Sequence, residues 1–194
     1  MSSASLTLWN TVRAVSLDAI EAAHGSVGGS GRGRRYATEQ INHAYTVLLA
    51  SQFQGFCRDL HGECVRALDG AATMPPLLAT LLRTELFQRR QLDKANATRE
   101  SITADFARFG FSFYNEVVAS DRRNIARYRR LQTMNTWRNA IAHQDFSRLV
   151  VSGNVPALRL ATVRGWRRSC DGLAKSFDRV MQAQLRDLTG VAPW

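Results

Sequence analysis

Nine apolar side chains, Ile41, Tyr45, the adjacent Leu48 and Leu49, Phe53, Phe56, Leu60, Cys64 and Leu68, recur otherwise at three- and four-residue steps with no proline between them. At about 100° per residue they trace one slowly drifting stripe down a long helix. A stripe of that length must be covered by other elements, and the rest of the chain offers mainly helical patterns to cover it. Leu6, Trp9, Val12, Leu17, Ile20 and Ala23 space a helix over 6–24. Pro75-Pro76 opens another over 76–92, and Thr38 caps the central helix, which runs to Asp69 before Gly70. Ser101 reads as the N-cap of a short helix closed by Gly110, and residues 93–100 as a polar loop. The run Phe109, Phe111, Phe113 and Tyr114 reads as a buried connector. A helix from Ser120 to Ala142 follows, then short β-like patches at 149–151 and 158–160 around Gly153, Asn154 and Pro156. Thr162 caps a last helix whose stripe of Trp166, Cys170, Leu173, Phe177, Val180, Met181 and Leu188 ends near Gly190.

The expectation is an all-α bundle of five to six helices with at most a vestigial hairpin. Residues 1–24 supply an N-terminal helix, 25–37 a flexible Gly/Ser/Arg linker, and 38–190 the helical domain. The linker lacks the Gly-Lys-Ser/Thr of a phosphate loop, and no strand precedes it.

Composition narrows the partners. The net charge is +10, and only two of the 26 basic residues are lysines, Lys94 and Lys175. An arginine excess of this kind suits a polyanion, because each neutralised phosphate releases counterions and guanidinium grips phosphate with a planar fork. Codon bias plus ordinary surface charge is the plain alternative. Three cysteines in no disulfide-rich spacing fit a reducing compartment. No run of about 18 apolar residues occurs and no basic-then-apolar leader opens the chain, so the expectation is a cytoplasmic protein with no membrane partner.

Within the 120–142 helix, Leu131, Met134, Ile141 and Ala142 share one side, with Tyr128 at its edge. Arg138 falls in the middle of that apolar side, where a guanidinium must be paired or reach out. Asn139 and His143 share a face at i and i+4, whereas His143 lies about 140° round the helix from Arg138. For Arg138 and His143 to act on one target, the helix must end or distort near Ala142, or the arginine must reach round. In the plain reading His143 meets the last helix carbonyls and Arg138 pairs with a core carboxylate such as Asp59. The basic stretch Asp121–Arg123 and Arg127–Arg130 is either a solvated face or a phosphate-gripping apron, with Tyr128 or Trp137 available to stack a base. Cys57, His61 and Cys64, at i, i+4 and i+7, carry zinc-ligand types on one face. No loop-borne Cys-x-x-Cys supports a structural zinc site, and no metal or cofactor is expected. His24 and His43 read as isolated, and neither a Gly-x-Ser-x-Gly elbow nor a His-Glu-x-x-His occurs.

Arg138-Asn139-Ala140-Ile141-Ala142-His143 resembles the signature of the HEPN superfamily: an arginine, a polar residue, three more residues, then histidine, on an all-α bundle. Phe53-Gln54-Gly55-Phe56-Cys57-Arg58-Asp59-Leu60 resembles the early-helix block of its bacterial RiboL-PSP-HEPN branch, and 158–167 running into Leu173-Ala174 resembles its closing helix. The similarity covers about 38–185. The branch often carries a glutamate where this chain has Gln54. The resemblance implies a metal-independent endoribonuclease, a toxin or antiviral defence effector, with Arg138, Asn139 and His143 as its catalytic residues. It further implies RNA as the partner, a homodimer whose motifs meet, and an antitoxin or defence partner protein. In such a site histidine serves as acid or base, arginine meets the phosphorane charge, and asparagine binds phosphate or fixes the imidazole tautomer. One histidine per chain falls short of an acid/base pair, and two chains would supply it. A non-catalytic HEPN-like RNA- or protein-binding module is the alternative reading, and a zinc-stapled regulatory domain a weaker one.

Overall fold

The computed structural model describes residues 1–28, 36–71, 75–88 and 90–194. Among them the chain is all-helical, with one isolated antiparallel bridge, Val151 to Asn154, where a hairpin was expected. Ser152 and Gly153 turn the chain there with positive φ, and because the flanking Val150, Val151 and Val155 are exposed, no buried face propagates the ladder.

The N-terminal segment is two helices, α1 (Ala4–Leu8) and α2 (Ala14–Gly28), joined by a π-turn at Trp9–Arg13. It continues past Gly25, where a linker was expected to begin; the linker's 29–35 lie outside the described residues. The N-terminus of α1 is held by carboxylates. Glu63 accepts from the Ala4 and Ser5 amides, Asp178 accepts from the Ser3 amide, and Ser3 Oγ caps Leu6. These bonds satisfy amides that a helix start leaves unpaired.

The central helix α3 (Tyr36–Ala71) starts two residues before Thr38 and passes through Gly70. It packs against α1, α2 and the two long helices that follow later in the chain, α7 (Asn124–His143) and α8 (Leu160–Thr189). Helix α4 (Pro76–Phe87) is shorter than the expected 76–92. The reason is Asp105, whose buried carboxylate accepts from the Gln91 and Leu92 amides at 2.8 Å each and draws 91–93 into a separate 3-10 turn. Helix α5 (Arg99–Phe106) is capped by Thr98, with Ser101 reciprocating from the third helical position. Ser101 was expected to be the cap; it is the other half of a capping box. Gly110 ends this unit at φ 91°.

The expected connector after Gly110 is instead a helix, α6 (Phe113–Ser120), whose Phe113 stacks on Phe106 at 4.4 Å and meets Phe177 edge-on at 5.0 Å. Four aromatic residues in six concealed its period. Helices α7 (Asn124–His143) and α8 (Leu160–Thr189) follow, and Thr162 lies inside α8 rather than capping it. The core joins the expected stripes: Tyr45, Phe53, Phe56 and Leu60 from α3, Leu131 and Met134 from α7, and Leu173, Phe177 and Val180 from α8, with Trp9 wedged on Phe53 and Phe56. No helix of the described residues is long and apolar enough to cross a membrane.

Candidate functional site

Helix α7 stays regular through His143 and stops at Gln144, which takes the left-handed conformation at φ 53°. The Asp145 amide donates to Ala140 O at 3.0 Å and the Gln144 amide to Ile141 O at 3.4 Å, the two bonds of a Schellman ending. Gln144 Nε2 also donates to Ile141 O. The last carbonyls of α7 are therefore served by residues 144 and 145, the role the plain reading gave to His143. A glutamine where glycine is favoured costs about 1 kcal/mol of backbone strain, and that strain sits immediately beside the motif.

Arg138 does not meet Asp59. That carboxylate belongs to Arg13, at 2.6 Å, and Arg13 also donates to Gln52. Arg138 is half-buried and reaches round the helix, its Nη1 donating to Asn139 Oδ1 at 3.2 Å. A second donor reaches the same oxygen, Asn96 Nδ2 at 2.7 Å. With Oδ1 engaged twice, the orientation of the Asn139 amide is set and its NH2 group is left as a donor toward solvent.

Asn139 and His143, one turn apart, line a common cleft of about 330 Å³ with Thr98, Gln132, Asn135, Asp145 and Arg148. Arg138 is not part of its lining; its guanidinium is one hydrogen bond behind. His143 is exposed. Asp145 accepts from the Ser147 amide at 3.0 Å in a tight turn, and the Ser147 bonds, then the charges of Arg148 and His143, hold its carboxyl below the usual range. The cleft thus combines an exposed imidazole, an ionised carboxylate, a guanidinium and an amide donor. That set can bind an anion and exchange a proton beside it.

Gln54 explains how the cleft wall is held. Its Nε2 donates to Leu92 O at 2.7 Å and Ala95 O at 2.9 Å, securing the turn that presents Asn96 to Asn139. Asn135, buried on α7, donates to Ala97 O in the same loop. An ionised glutamate at 54 would offer no donor to those carbonyls, whereas the amide serves both.

Three further expectations meet specific neighbours. Tyr128 and Trp137 are 4% and 6% exposed and lie in the core, so neither can stack a base. In the basic stretch, Asp121 takes both Arg123 and Arg127, and among the described residues Arg122, Arg129 and Arg130 have no carboxylate partner. His43, far from isolated, is stacked on Phe146 and tilted against Trp137, bracing the chain on either side of the motif. Burial holds it below its ordinary value, against the opposing charge of Glu39.

Cys57, His61 and Cys64 are all buried, and among the described residues no three groups of ligand type converge on a metal position. His61 is enclosed by Phe106 and Phe109, with Nε2 3.3 Å from Asp105 O. Burial, and next the charge of Arg90, push it down to about 4, while burial pushes all three thiols up. These are inert core thiols.

Asn96, Asp145 and Arg148 were not singled out in the sequence. Asp145-Phe-Ser147 carries a local turn signal that could have flagged the carboxylate, whereas Asn96 reaches Asn139 from a loop that Gln54 and Asn135 hold together. No family model, curated protein or solved structure matches the chain.

Proposed function

We propose that this chain is a metal-independent endoribonuclease of the HEPN kind, with His143, Asn139 and Arg138 at its centre. In the reaction the 2′-oxygen attacks the adjacent phosphorus, the bond from phosphorus to the 5′-oxygen breaks, and the products end in a 2′,3′-cyclic phosphate and a 5′-hydroxyl. A base takes the 2′-hydroxyl proton and an acid protonates the departing oxygen. His143 fills one of these roles, and His143 of a second copy the other, which is why the reading includes a homodimer. The Asn139 amide donates to the phosphate, Arg138 holds that amide in place, and Arg148 adds positive charge at the cleft. The single observation that carries the reading is the shared cleft of Asn139 and His143, with the Asn139 oxygen already fixed by Arg138 and Asn96.

A toxin or defence effector is the corresponding biological role, with an antitoxin or defence protein as its partner. Overexpression should then slow growth, and His143→Ala should relieve it. The decisive test is RNA incubated with the purified protein in excess chelator. Cyclic-phosphate ends that vanish with His143→Ala support the nuclease; no cleavage across varied RNAs refutes it. One observation favours the second reading, a non-catalytic module: Arg138 is engaged within its own chain and does not line the cleft. RNA or protein binding unchanged by Arg138→Ala and His143→Ala, with no turnover, would establish that alternative.

A further inference from the structure

The motif cleft does not end at the motif. A second cleft of about 360 Å³, lined by Arg99, Glu100, Tyr114, Ile125, Tyr128, Arg129 and Gln132, meets it at Gln132, which lines both. On the opposite wall Thr98 lines the first cleft and its neighbour Arg99 the second. On α7 the lining residues Ile125, Tyr128, Arg129, Gln132, Asn135, Thr136, Asn139 and His143 follow steps of one, three and four. They form one face about 27 Å long at ~1.5 Å per residue. That length matches about eight stacked nucleotides at ~3.4 Å each.

The chemistry changes along this face. The end near the motif is amide, hydroxyl and imidazole. The far end is a cationic and aromatic platform: the Tyr114 ring packs 5.4 Å from Tyr128, and the Arg99 guanidinium lies 5.5 Å over Tyr114. Arg99 is also bonded to Glu100, which neutralises the one carboxylate of this second cleft. Among the described residues neither Arg129 nor Arg148 is ion-paired with a carboxylate, so a guanidinium stands along each half of the face. Half-buried Tyr114 is thus the ring placed to stack a base, in the role that buried Tyr128 and Trp137 cannot take. A base face is available in a single strand and hidden in a duplex.

We propose that this joined groove is a binding track for single-stranded RNA, with Tyr114 and Arg99 stacking a base remote from the cut and Arg129 gripping the backbone beside it. The proposal rests on the RNA reading above and adds where the strand runs and which side chains hold it away from the cut.

The test uses the full chain carrying His143→Ala, which keeps the RNA intact, and a fluorescent single-stranded octaribonucleotide with 2-aminopurine scanned along it. Arg129→Glu should weaken binding about tenfold and reduce the salt dependence by about one phosphate contact, a slope change of ~0.7. Tyr114→Ala should weaken it roughly tenfold and abolish quenching of 2-aminopurine at one end of the oligonucleotide. Tyr114→Phe should restore both, which separates stacking from any loss of fold. Arg66→Glu, an equal charge change on exposed α3 surface, should stay within twofold. The track is overturned if Arg66→Glu matches Arg129→Glu, if a duplex binds as tightly as the single strand, or if no octamer binds. Should wild type fail to cut RNA while these binding effects appear, the nuclease reading falls and the track stands. If wild type cuts RNA and neither cutting nor binding responds to Tyr114 and Arg129, only the track falls.

Discussion

Two clefts of the bundle contrast, and the larger one is the less suited to acid/base chemistry. The cleft between α1, α3 and the 87–93 segment encloses about 770 Å³ and is lined by Arg13, Arg58, Arg66 and Arg90. Two of these cations are spoken for: Arg13 by Asp59 and Gln52, Arg90 by Asp93 at 2.9 Å. Glu63 is spent on the amides of α1. Gly55 belongs to this arrangement, since a Cβ there would meet the Arg13 guanidinium at 2.6–2.9 Å. The cleft at the end of α7 is less than half that volume, yet its imidazole is exposed and its Arg148 is unpaired among the described residues. Arg58 and Arg66 leave the larger cleft able to attract an anion, but only the smaller of the two sets an imidazole beside such a charge, where a proton can be exchanged.

The contrast is broken most directly by exchanging effects between the two histidines. His143→Ala should lower RNA cleavage by at least about 10²-fold, the usual contribution of one acid/base group, with little change in thermal unfolding because the side chain is exposed. Cleavage surviving that substitution would remove the motif from the chemistry.

His61, 0% exposed beside the Arg90 wall, should act on stability alone. Its value is about 4 in the fold and near 6.5 when unfolded. The unfolded chain therefore binds the proton first as pH falls. Stability from this group is flat above about 6.5 and declines between about 6.5 and 4, by roughly 3 kcal/mol in all. Asp171 and Asp178, raised by burial, act in the opposite direction, so the difference between wild type and His61→Leu in urea unfolding at several pH values isolates the histidine. Parallel profiles would show that His61 does not titrate as its burial implies.

Gln54→Glu probes the amide that holds the cleft wall. Losing two donors to Leu92 and Ala95 carbonyls should cost about 2 kcal/mol at neutral pH. The carboxyl facing those carbonyls is favoured in its protonated form, so part of the loss should return as pH falls below about 5. A stability increase, or a rise in cleavage, would show instead that the carboxylate finds a better partner at the motif. The smallest effect belongs to Gln144→Gly. It relieves left-handed strain but removes the bond from Gln144 Nε2 to Ile141, and a net gain below about 1 kcal/mol in chemical denaturation is expected.

How much of this was legible beforehand depended on the range of the interaction. The stripes of α3, α7 and α8 could be read because burial imposes a 3.6-residue period on a contiguous segment. The geometry of the motif was half legible: the angular separation of Arg138 and His143 followed from helix geometry, and of the ways to reconcile them the arginine took the one that reaches round, toward Asn139. Helix α6 was missed because Phe109, Phe111 and Phe113 alternate with Gly110 and Ser112, a strand-like period that runs across the helix start. The cap of α5 was misplaced because Thr98 and Ser101 are both good capping residues, and only the reciprocal bonds distinguish them.

The sequence by itself determined that this protein is all-helical, where its long helices run, and that Arg138, Asn139 and His143 stand together at a helix end. Tertiary structure alone decided which polar groups remain available there. Asp59 was taken by Arg13, Asp121 by Arg123 and Arg127, and Tyr128 and Trp137 by the core, while Gln54 spent its amide shaping the loop that brings Asn96 to Asn139. The physical reason is that periodicity is a property of neighbours in sequence. Pairing is a competition among groups far apart in sequence, 46 residues for Arg13 and Asp59 and 143 for Arg164 and Glu21, and the folded chain settles it.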